Sequence, residues 1–596
     1  MGHVRRLYAL RLRIWIAPTE SQRLFLLTAV IGVACGLAAV GFHLLIRLLE
    51  SQLIDRAIAA PGKTWIAWTI VTPTVGGLVC GAFLHYVAPR ARGSGIPEVK
   101  ATFAERGRSL RLRDSLGKFG IGALQIGSGA SLGREGPTVQ ICAGIASALG
   151  RVARVSPGNA RRLLPVGAAA GVAAAFNAPI AAVTFAVEEI IGDLDKAVLS
   201  GVIVAAAIAA VIERSVLGEH PVFDLPRDHG LEHVSSLAIY ALLGLVAGIV
   251  AVLFTDGLLG VRDRFRAWTA MPGWAKPAVG GLVTGVLAVV AWQWLGARGI
   301  TGGGYHTLEA ALGGDMLPRT LLVLCAMKLI ATIFCYGSGG AGGIFAPALF
   351  VGGMLGGSFG LLDMQVLGHS GHVVGSFALV GMGAMFAGSI RAPITSVLII
   401  VEMTGGYSLI LPLMIANMIA YGVARQLRPV PIYEALLEQD GIRLRPTTGM
   451  HVLEGKRIDQ VLRPAAHPLV LLRESTVARA ILASRTQQDV YPVTDAASGR
   501  VIGLLTNEEM DLLAAERELQ DLLTASDVMR APVVVLRDED LRTALDAMIA
   551  HGLRRLPVVD EGMRVVGLLD EETIARAYLR GNTTGHVQHG AHSASS

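Results

Sequence analysis

A succession of long apolar stretches between about residue 24 and about residue 425 constrains this chain most strongly. Each is long enough to cross a hydrocarbon core about 30 Å thick, as in Leu24 to Leu48, Trp65 to Tyr86, Leu237 to Phe254, Pro277 to Trp294 and Phe377 to Val401. Only 16% of the 596 residues are charged, whereas a soluble domain has about 25%. No soluble core needs so many apolar helices, so the sequence predicts a multi-span membrane domain.

The charge distribution argues against nucleic acid as a partner and indicates how the chain is oriented. The net charge is only +6, and nucleic-acid binding would need the basic residues clustered on one surface. Basic residues instead precede the first apolar stretch, at Arg5, Arg6, Arg11 and Arg13. The positive-inside rule places that end in the cytoplasm. The first stretch continues as a full span without a small-residue cleavage site, so we expect no cleaved signal peptide.

Cysteine and histidine spacing gives no prediction of a metal site. The cysteines lie in or beside apolar segments without metal-ligand spacing, at Cys35, Cys80, Cys142, Cys325 and Cys335. Two histidine pairs have spacings that a metal could use, His229 with His233 and His369 with His372. Both pairs lie in polar stretches between spans, which favours solvated loop histidines. We expect neither disulfides nor a bound metal.

The composition changes near residue 430, after which the chain resembles a soluble domain. Two similar units follow, one containing Tyr491 to Asp495 and Val501 to Thr506, the other Leu556 to Asp560 and Val565 to Asp570. Each predicts a strand hairpin followed by a helix. We therefore expect a cytoplasmic segment at 1–22, a transmembrane domain at 23–440, a tandem domain at 441–580 (units at about 453–513 and 524–580) and a disordered tail at 581–596.

The membrane part also repeats internally. Gly127-Ser128-Gly129, with Gly133 and Pro137 downstream, recurs 210 residues later as Gly337-Ser338-Gly339 with Gly343 and Pro347. Ala178-Pro179-Ile180 reaches Glu188 nine residues after its proline, and Ala392-Pro393-Ile394 reaches Glu402 at the same distance. Two motifs that recur at nearly the same distance along the chain predict duplicated halves. Transporters built this way often bind substrate at the interface between the halves.

Three glycine-rich runs predict helices that begin inside the membrane: Gly93 to Glu98, Gly133 to Pro137 and Gly343 to Pro347. Such breaks are tolerated only where protein or a water-filled cavity surrounds them. A helix that starts there presents free N–H groups and a positive dipole end, which suits an anion. A proline soon after each glycine cluster fits the first turn. Close helix packing is the alternative reading for most of the 72 glycines.

These runs resemble the anion-binding signatures of the CLC family of chloride channels and chloride/proton antiporters. The patterns GSGIPE, GREGP and GxFxP occur in order, over a resemblance that covers about residues 20 to 440, and the tail resembles paired CBS domains. The resemblance implies an all-α polytopic membrane protein with two inverted-repeat halves and broken helices, followed by an α/β tandem CBS domain. It implies chloride and protons as substrates, a lipid bilayer as environment and a homodimer. We expect a bacterial inner membrane, with both termini cytoplasmic.

The resemblance also assigns roles to individual residues. Ser94 and Tyr433 match hydroxyls that contact chloride, and Ile344 and Phe345 match positions whose backbone amides bind it. The surrounding selectivity-filter motifs comprise Gly93, Gly95, Ile96, Pro97, Gly133, Arg134, Gly136, Pro137, Gly343 and Pro347.

Two glutamates match the gating and proton-transfer positions. Glu135 matches the external gate, since a carboxylate beside a positive helix end can mimic the anion and protonation would release it. Glu188 has the repeat mate Glu402, which favours a structural role. Glu189 aligns with Met403 and matches the family's internal proton-transfer glutamate, although a hydrated glutamate at the cytoplasmic edge is the simpler alternative. Lys118 is a candidate for tuning the local potential.

The CBS-like units fit the usual nucleotide pattern of glycine, Ser/Thr and Asp poorly. The first offers Gly503, Thr506 and Glu509, and the second offers Gly567, Asp570 and Thr573. No cofactor is therefore predicted, although an adenine nucleotide at these units stays open, and a dimer-stabilising cytoplasmic cap is the alternative role.

The predicted function is chloride transport, as a chloride/proton antiporter. A voltage-gated passive chloride channel of the same family is the first alternative, and the acid at Glu189 argues against it. A CBS-regulated cation transporter would need acidic clusters within the spans, which are few. A membrane enzyme is not expected, because no Ser/His/Asp or phosphate-loop constellation supports one.

Overall fold

The computed structural model describes residues 20–105, 109–155, 157–192, 196–218, 223, 230–231, 233–314, 316–369, 373–442, 453, 456–462, 468–483, 488–507, 509–510 and 520–578. The chain forms two compact units, Met1–Leu444 and Arg445–Ser596, and each is described by itself. The expected segment at 1–22 lies almost wholly outside the described residues, and the expected tail at 581–596 lies wholly outside them.

The first half of the membrane unit is helical. Its helices are α1 (Glu20–Gln52), α2 (Ile54–Ile58), α3 (Thr64–Tyr86), α4 (Ile96–Ala104), α5 (Leu112–Gly127), α6 (Glu135–Val152), α7 (Pro157–Phe176), α8 (Pro179–Phe185) and α9 (Lys196–Leu217). A π-helical segment, Ala186–Ile191, continues α8.

The second half is helical as well. It contains α10 (Leu237–Ala267), α11 (Lys276–Leu295), α12 (Tyr305–Leu312), α13 (Pro318–Gly337), α14 (Phe345–Leu367), α15 (Val373–Ile390), α16 (Pro393–Thr404), α17 (Ile410–Leu427) and α18 (Ile432–Gln439).

Apolar length and burial divide these helices into outer and inner ones. Among the described residues, nine helical stretches are long and apolar enough to cross a membrane. Outer helices such as α1 and α3 expose large apolar side chains, including Phe25, Leu37 and Val75, which suits contact with lipid. Every residue of α15 is buried, so α15 forms the centre of the core. The predicted fold class, mostly helical with broken helices, is confirmed.

The predicted single span from Phe377 to Val401 is wrong. The structure divides it between α15 and α16, with a break at Arg391, whose φ is +70°. Pro393 causes the break, because it lacks an N–H and disfavours helical geometry in the residue before it. The first half breaks in the same way at Asn177, whose φ is +52°, two residues before Pro179.

The two breaks are joined by exchanged carboxylates. Glu188 of the first half accepts hydrogen bonds from the backbone N–H groups of Ile394 and Thr395, at 3.2 and 2.8 Å, at the start of α16. Glu402 of the second half accepts from the N–H groups of Ile180 and Ala181, at 3.1 and 2.7 Å, at the start of α8. Each half therefore caps a helix of the other half, in agreement with a structural role shared by Glu188 and Glu402.

The second unit contains two three-stranded sheets of the same design. Strands β1 (Leu471–Leu472), β2 (Val490–Thr494) and β3 (Val501–Thr506) form one sheet, and β4 (Val535–Leu536), β5 (Arg555–Val559) and β6 (Val565–Asp570) form the other. In each, the first pair is parallel, the second pair is antiparallel and the register shifts at its end. Helices α19 (Val477–Ala483), α20 (Ala525–Val528) and α21 (Leu541–His551) accompany them. The predicted repeated hairpins are confirmed.

The exchanged caps predict matched losses of stability. We expect Glu402→Ala and Glu188→Ala each to lower the thermal unfolding midpoint in detergent, because each leaves two helix N–H groups without their acceptor, at a cost of about 1–3 kcal/mol. Glu438→Ala is the matched control, since Glu438 is exposed. A midpoint unchanged from that of Glu438→Ala would show that the exchanged caps do not stabilise the domain.

Candidate anion and proton site

The glycine turns of the two halves meet directly. The N–H of Gly133 donates to the carbonyl oxygen of Gly343, and the N–H of Gly343 donates to that of Gly133, both at 2.7 Å. This pair forms an isolated antiparallel bridge between the segments that lead into α6 and α14. The bridge brings the N-termini of these two helices together in the interior of the membrane unit.

Glycine is required here by close approach. A Cβ on Gly136 would lie 2.3 Å from the Ser94 Oγ, and one on Gly343 would lie 3.0 Å from the Gly136 nitrogen. A Cβ on Gly95 would lie 2.7 Å from the Gln140 Cβ, and the φ of Gly95 is +96°. The absence of side chains therefore allows the three predicted runs to converge at one point.

All three runs begin helices, as predicted. Helices α4, α6 and α14 start at Ile96, Glu135 and Phe345, and each has a proline within its first three residues. The first N–H groups of a helix have no partner within that helix. Three helix N-termini thus direct unpaired donors and positive dipole ends toward the same region.

The Glu135 carboxylate occupies this region. Its side chain is 1% exposed. One oxygen accepts a hydrogen bond from the Tyr305 hydroxyl at 2.6 Å, and the other accepts from the N–H of Ala346 at 3.4 Å. Ala346 is the second residue of α14. A carboxylate from one half is therefore bound at the helix N-terminus of the other half, as a small anion would be.

Two hydroxyls reach the same neighbourhood, those of Ser94 and Tyr433. Both residues are 1% exposed and their side chains lie near each other, but within the described part of the chain neither hydroxyl makes a hydrogen bond of ordinary geometry. Ser94 Oγ lies against Gly136, whereas its backbone N–H donates to the Tyr336 hydroxyl at 3.3 Å. A buried polar group without a partner is costly, so these hydroxyls suit an anion that accepts from them.

Aromatic packing fixes the start of α14. The Phe345 ring lies 4.6 Å from that of Phe176 and 4.3 Å from that of Phe386, measured between centroids. Ile344 and Phe345 are each 1% exposed. Because the side chains are anchored in the core, the amides of this turn keep a fixed position, which is a requirement for anion binding by backbone donors.

Buried lysines support the loops behind the site. Lys118 is fully buried and donates to the carbonyl oxygens of Ala91 at 2.8 Å and of Gly93. Lys328, which is 210 residues later in the sequence, is also fully buried and donates to Gly299, Ile300 and Gly302 at 2.7 to 3.1 Å. Each half therefore uses one lysine to hold the loop that precedes a short helix, α4 or α12.

Arg134 directly precedes Glu135 in the sequence. Its guanidinium is 5.7 Å from the centroid of the Tyr305 ring, and it contacts His43 and the Ala175 carbonyl oxygen. It is therefore a neighbour of the tyrosine that binds the carboxylate.

Glu189 belongs to a separate polar cluster. It is 5% exposed, lies in the π-helical segment and accepts a hydrogen bond from the Lys100 ammonium at 2.9 Å. Lys100 also donates to Glu434 at 3.0 Å. Isolated π-helical turns often occur at functional sites. Glu434 follows Tyr433 in the sequence, so this cluster adjoins the anion site through α18.

Two cavities approach the site. One, of about 380 Å³, is lined by Ser94 and Tyr336 and by Arg92, Arg262 and Arg266. The other, of about 550 Å³, is lined by Arg134, Tyr305 and Arg298. Tyr305, which lines the second cavity, donates to the Glu135 carboxylate. Ser94, which lines the first cavity, lies against Gly136. Glu135 and the residue after it therefore adjoin residues of both cavities.

Sequence reasoning missed four polar residues of this region: Tyr305, Tyr336, Lys328 and Lys100. The duplication contained a signal for two of them. Lys328 is the repeat mate of Lys118, and Tyr305 follows Gly302-Gly303-Gly304 as Ile96 follows Gly93-Ser94-Gly95. Nothing in the sequence pattern indicates the Tyr336 or Lys100 contacts, which join residues 242, 89 and 334 positions apart.

The CBS-like positions are engaged in local contacts. The Glu509 carboxylate accepts from the Thr506 N–H at 2.7 Å and pairs with Arg530. Asp570 accepts from the N–H of Thr573 at 2.7 Å. A Cβ on Gly503 would lie 2.2 Å from the Met529 sulfur, so that face is already packed.

The histidine pairs are only partly visible. His229 and His372 lie outside the described residues. His233 and His369 stack with 4.0 Å between ring centroids, and His369 contacts Asp363 at 2.7 Å. Within the described ranges, no group of three or more His, Cys, Asp or Glu side chains could hold a metal ion, and the five cysteines are buried and free.

Known proteins share this sequence pattern. The sequence model of the voltage-gated chloride channel family matches residues 76–425, and that of the CBS domain matches residues 525–580. An H(+)/Cl(-) exchange transporter ClcA of Vibrio campbellii is 35% identical over 71% of this chain and 90% of its own length. A putative chloride channel protein ClcB-like of Ralstonia nicotianae is 34% identical over 71% of this chain and 99% of its own.

Solved structures share the fold. A slow cyanobacterial Cl-/H+ antiporter superposes with a TM-score of 0.63 at 29% identity, over 70% of this chain and 98% of its own. A eukaryotic CLC transporter gives a TM-score of 0.60 at 21% identity, over 92% of this chain and 98% of its own. At this identity the similarity shows the fold alone. With nine apolar helices in its described part, the protein is an integral multi-pass membrane protein, and it belongs to the voltage-gated chloride channel (CLC) family.

Proposed function

We propose that this protein exchanges chloride for protons across a membrane, with Glu135 as the gate. The observation that carries the proposal is the hydrogen bond from the amide of Ala346, at the N-terminus of α14, to the buried Glu135 carboxylate, which also accepts from the cavity-lining residue Tyr305. Relatives named as H(+)/Cl(-) exchange transporters support the choice of ions. No enzymatic activity is proposed, since the family consists of transporters and channels.

In this proposal chloride enters through the cavity rich in arginine and lysine. That cavity is lined by five basic side chains, Arg90, Arg92, Arg262, Arg266 and Lys276, and by two acidic ones, Glu98 and Asp440. The excess of positive charge raises the local anion concentration. The ion then binds at the Ser94 and Tyr433 hydroxyls and at the amides of Ile344 and Phe345, with Lys118 holding the Gly93 loop in place.

The gating step exchanges one anion for another. An ionised Glu135 occupies the donors that chloride would use, and so it closes the path. Protonation removes its charge, weakens its hold on the Ala346 amide and frees that position for chloride. Glu189 passes protons between Glu135 and the face on which Glu434 lies. A passive channel of the same family is the second candidate, and the buried, ion-paired acid at Glu189 favours the exchanger.

For orientation and assembly we propose a bacterial inner membrane, cytoplasmic termini and a homodimer with one pathway per subunit. The last turns of α10 and α17 carry Arg264, Arg266 and Arg425, which the positive-inside rule places in the cytoplasm. For the CBS-like units we propose a structural cap without nucleotide, because Glu509 is held by Arg530 and Thr506.

The gating role predicts the behaviour of Glu135→Gln. A neutral isostere imitates the protonated carboxyl, so we expect chloride flux from liposomes to persist, proton flux to fall below a tenth of the wild-type value, and the pH dependence of chloride flux to disappear. Glu309→Gln is the control, because Glu309 lines the second cavity, of about 550 Å³, and is exposed. Unchanged proton coupling in Glu135→Gln would remove Glu135 from the mechanism.

Tyr305 holds the closed gate. Its hydroxyl donates to the ionised carboxylate at 2.6 Å, and a hydrogen bond to a charged group is worth about 1.5–3 kcal/mol. We expect Tyr305→Phe to make protonation of the gate easier, which shifts the pH profile of chloride flux upward by about one unit and speeds transport at neutral pH. Tyr407→Phe, at an exposed tyrosine, serves as the control. A downward shift would mean that Tyr305 does not stabilise the closed gate.

The relay role of Glu189 is tested separately. We expect Glu189→Gln to transport chloride while proton flux is abolished, because an amide cannot take up and release the proton. Chloride and proton fluxes are measured together in one liposome assay, with Glu105→Gln as the control at an exposed acid. Proton uptake equal to that of the wild type would end the relay proposal.

A further inference from the structure

The most distinctive polar cluster outside the anion site is the Lys100 triad, made of Lys100, Glu189 and Glu434. Lys100 contacts both carboxylates, at 2.9 and 3.0 Å. Exposure increases outward along the triad, from 5% for Glu189 to 14% for Lys100 and 41% for Glu434. The ammonium group therefore lies between a buried acid and a hydrated one.

The triad also joins the elements that carry the two anion-binding hydroxyls. Lys100 lies in α4, which begins two residues after Ser94, and Glu434 lies in the first turn of α18, directly after Tyr433. Glu189 lies in the π-helical segment that continues α8. Any change in charge within the triad acts on the two helices that position Ser94 and Tyr433.

Charge balance makes the triad sensitive to one proton. With both acids ionised, one ammonium faces two carboxylates, and the cluster carries a net charge of −1. Protonation of Glu189 neutralises the cluster and leaves Lys100 paired with Glu434 alone. Glu188, the neighbour of Glu189 in the sequence, adds a further negative charge, and its carboxylate is held by the start of α16.

We propose that Lys100 is a positioning residue for proton coupling, which sets the proton affinity of Glu189 in opposition to Glu434. Lys100 favours the ionised form of Glu189, and Glu434 weakens that effect by sharing the ammonium and by adding negative charge. This inference rests on the proposed chloride/proton exchange. It assigns the balance of proton uptake and release at the inner face to two residues outside the family motifs described above.

The test is a pair of substitutions with opposite expected signs. Lys100→Met removes the cation, so Glu189 protonates more readily, and the pH profile of proton flux shifts upward by about one unit. Glu434→Gln removes the competing carboxylate, so Glu189 stays ionised more readily, and the profile shifts downward. Lys100→Met also lowers the number of protons moved per chloride at least twofold at neutral pH, whereas Lys100→Arg restores it.

Controls separate this inference from the exchange proposal. Wild type and Glu189→Gln are measured first, since a wild-type protein without proton flux would overturn the exchange itself. Lys63→Met, at an exposed lysine, controls for loss of charge, and the thermal unfolding midpoint checks folding. With a coupled wild type, shifts of the same sign in Lys100→Met and Glu434→Gln, or no shift in either, would overturn the role of Lys100. Failure of Lys100→Arg to restore coupling would do the same.

Discussion

The reciprocal hydrogen bonds between Gly133 and Gly343 set the arrangement of the membrane unit. The N···O distances of 2.7 Å between the two peptide groups leave no room for side chains. The bridge therefore brings the N-termini of α6 and α14 together. A broken helix inside a membrane must otherwise leave its N–H groups unpaired, at a cost of several kcal/mol each. Here part of the exposed backbone is paired within the bridge, and the rest faces a carboxylate, two hydroxyls and water-accessible cavities. The site is therefore a direct result of how the two halves are joined.

The residues that the two halves share form the scaffold of the site, and the residues that differ between the halves provide its chemistry. The paired features, such as Lys118 with Lys328 and Glu188 with Glu402, perform the same task in both halves. The unpaired ones differ in chemistry: Glu135 corresponds in the repeat to Phe345, and Glu189 corresponds to Met403. A movable charge on one side and fixed amides on the other make an asymmetric site within a nearly symmetric scaffold. The residues that break the repeat are those to which the proposed transport assigns a moving proton.

Much of the fold could be predicted because apolar length, glycine clusters and prolines act locally. The starts of α4, α6 and α14 follow from Gly-rich runs that precede a proline, and the hairpins of the second unit follow from alternating apolar runs. The break before Pro393 was also encoded locally, but the apolar sequence on either side concealed it. The contacts of Tyr305 with Glu135 and of Lys100 with Glu434 join residues 170 and 334 positions apart. Such pairs depend on tertiary packing, and a single sequence contains no signal for them beyond the repeat itself.

The exchanged caps have a consequence for the order in which the protein is made. The amide donors of Glu188 begin 206 residues further along the chain, at Ile394, and the acceptor of the Ile180 amide in α8 lies 222 residues further along, at Glu402. At about 5–20 residues per second, that interval is roughly 10 to 40 seconds of synthesis. Throughout it, the first half is in the membrane with an ionisable side chain and a helix end that have no native partner. Synthesis of α16 is thus the step that supplies both missing partners. In a chain truncated before α16, Glu188 and the start of α8 would stay without these partners and would be exposed to lipid and to quality-control proteases.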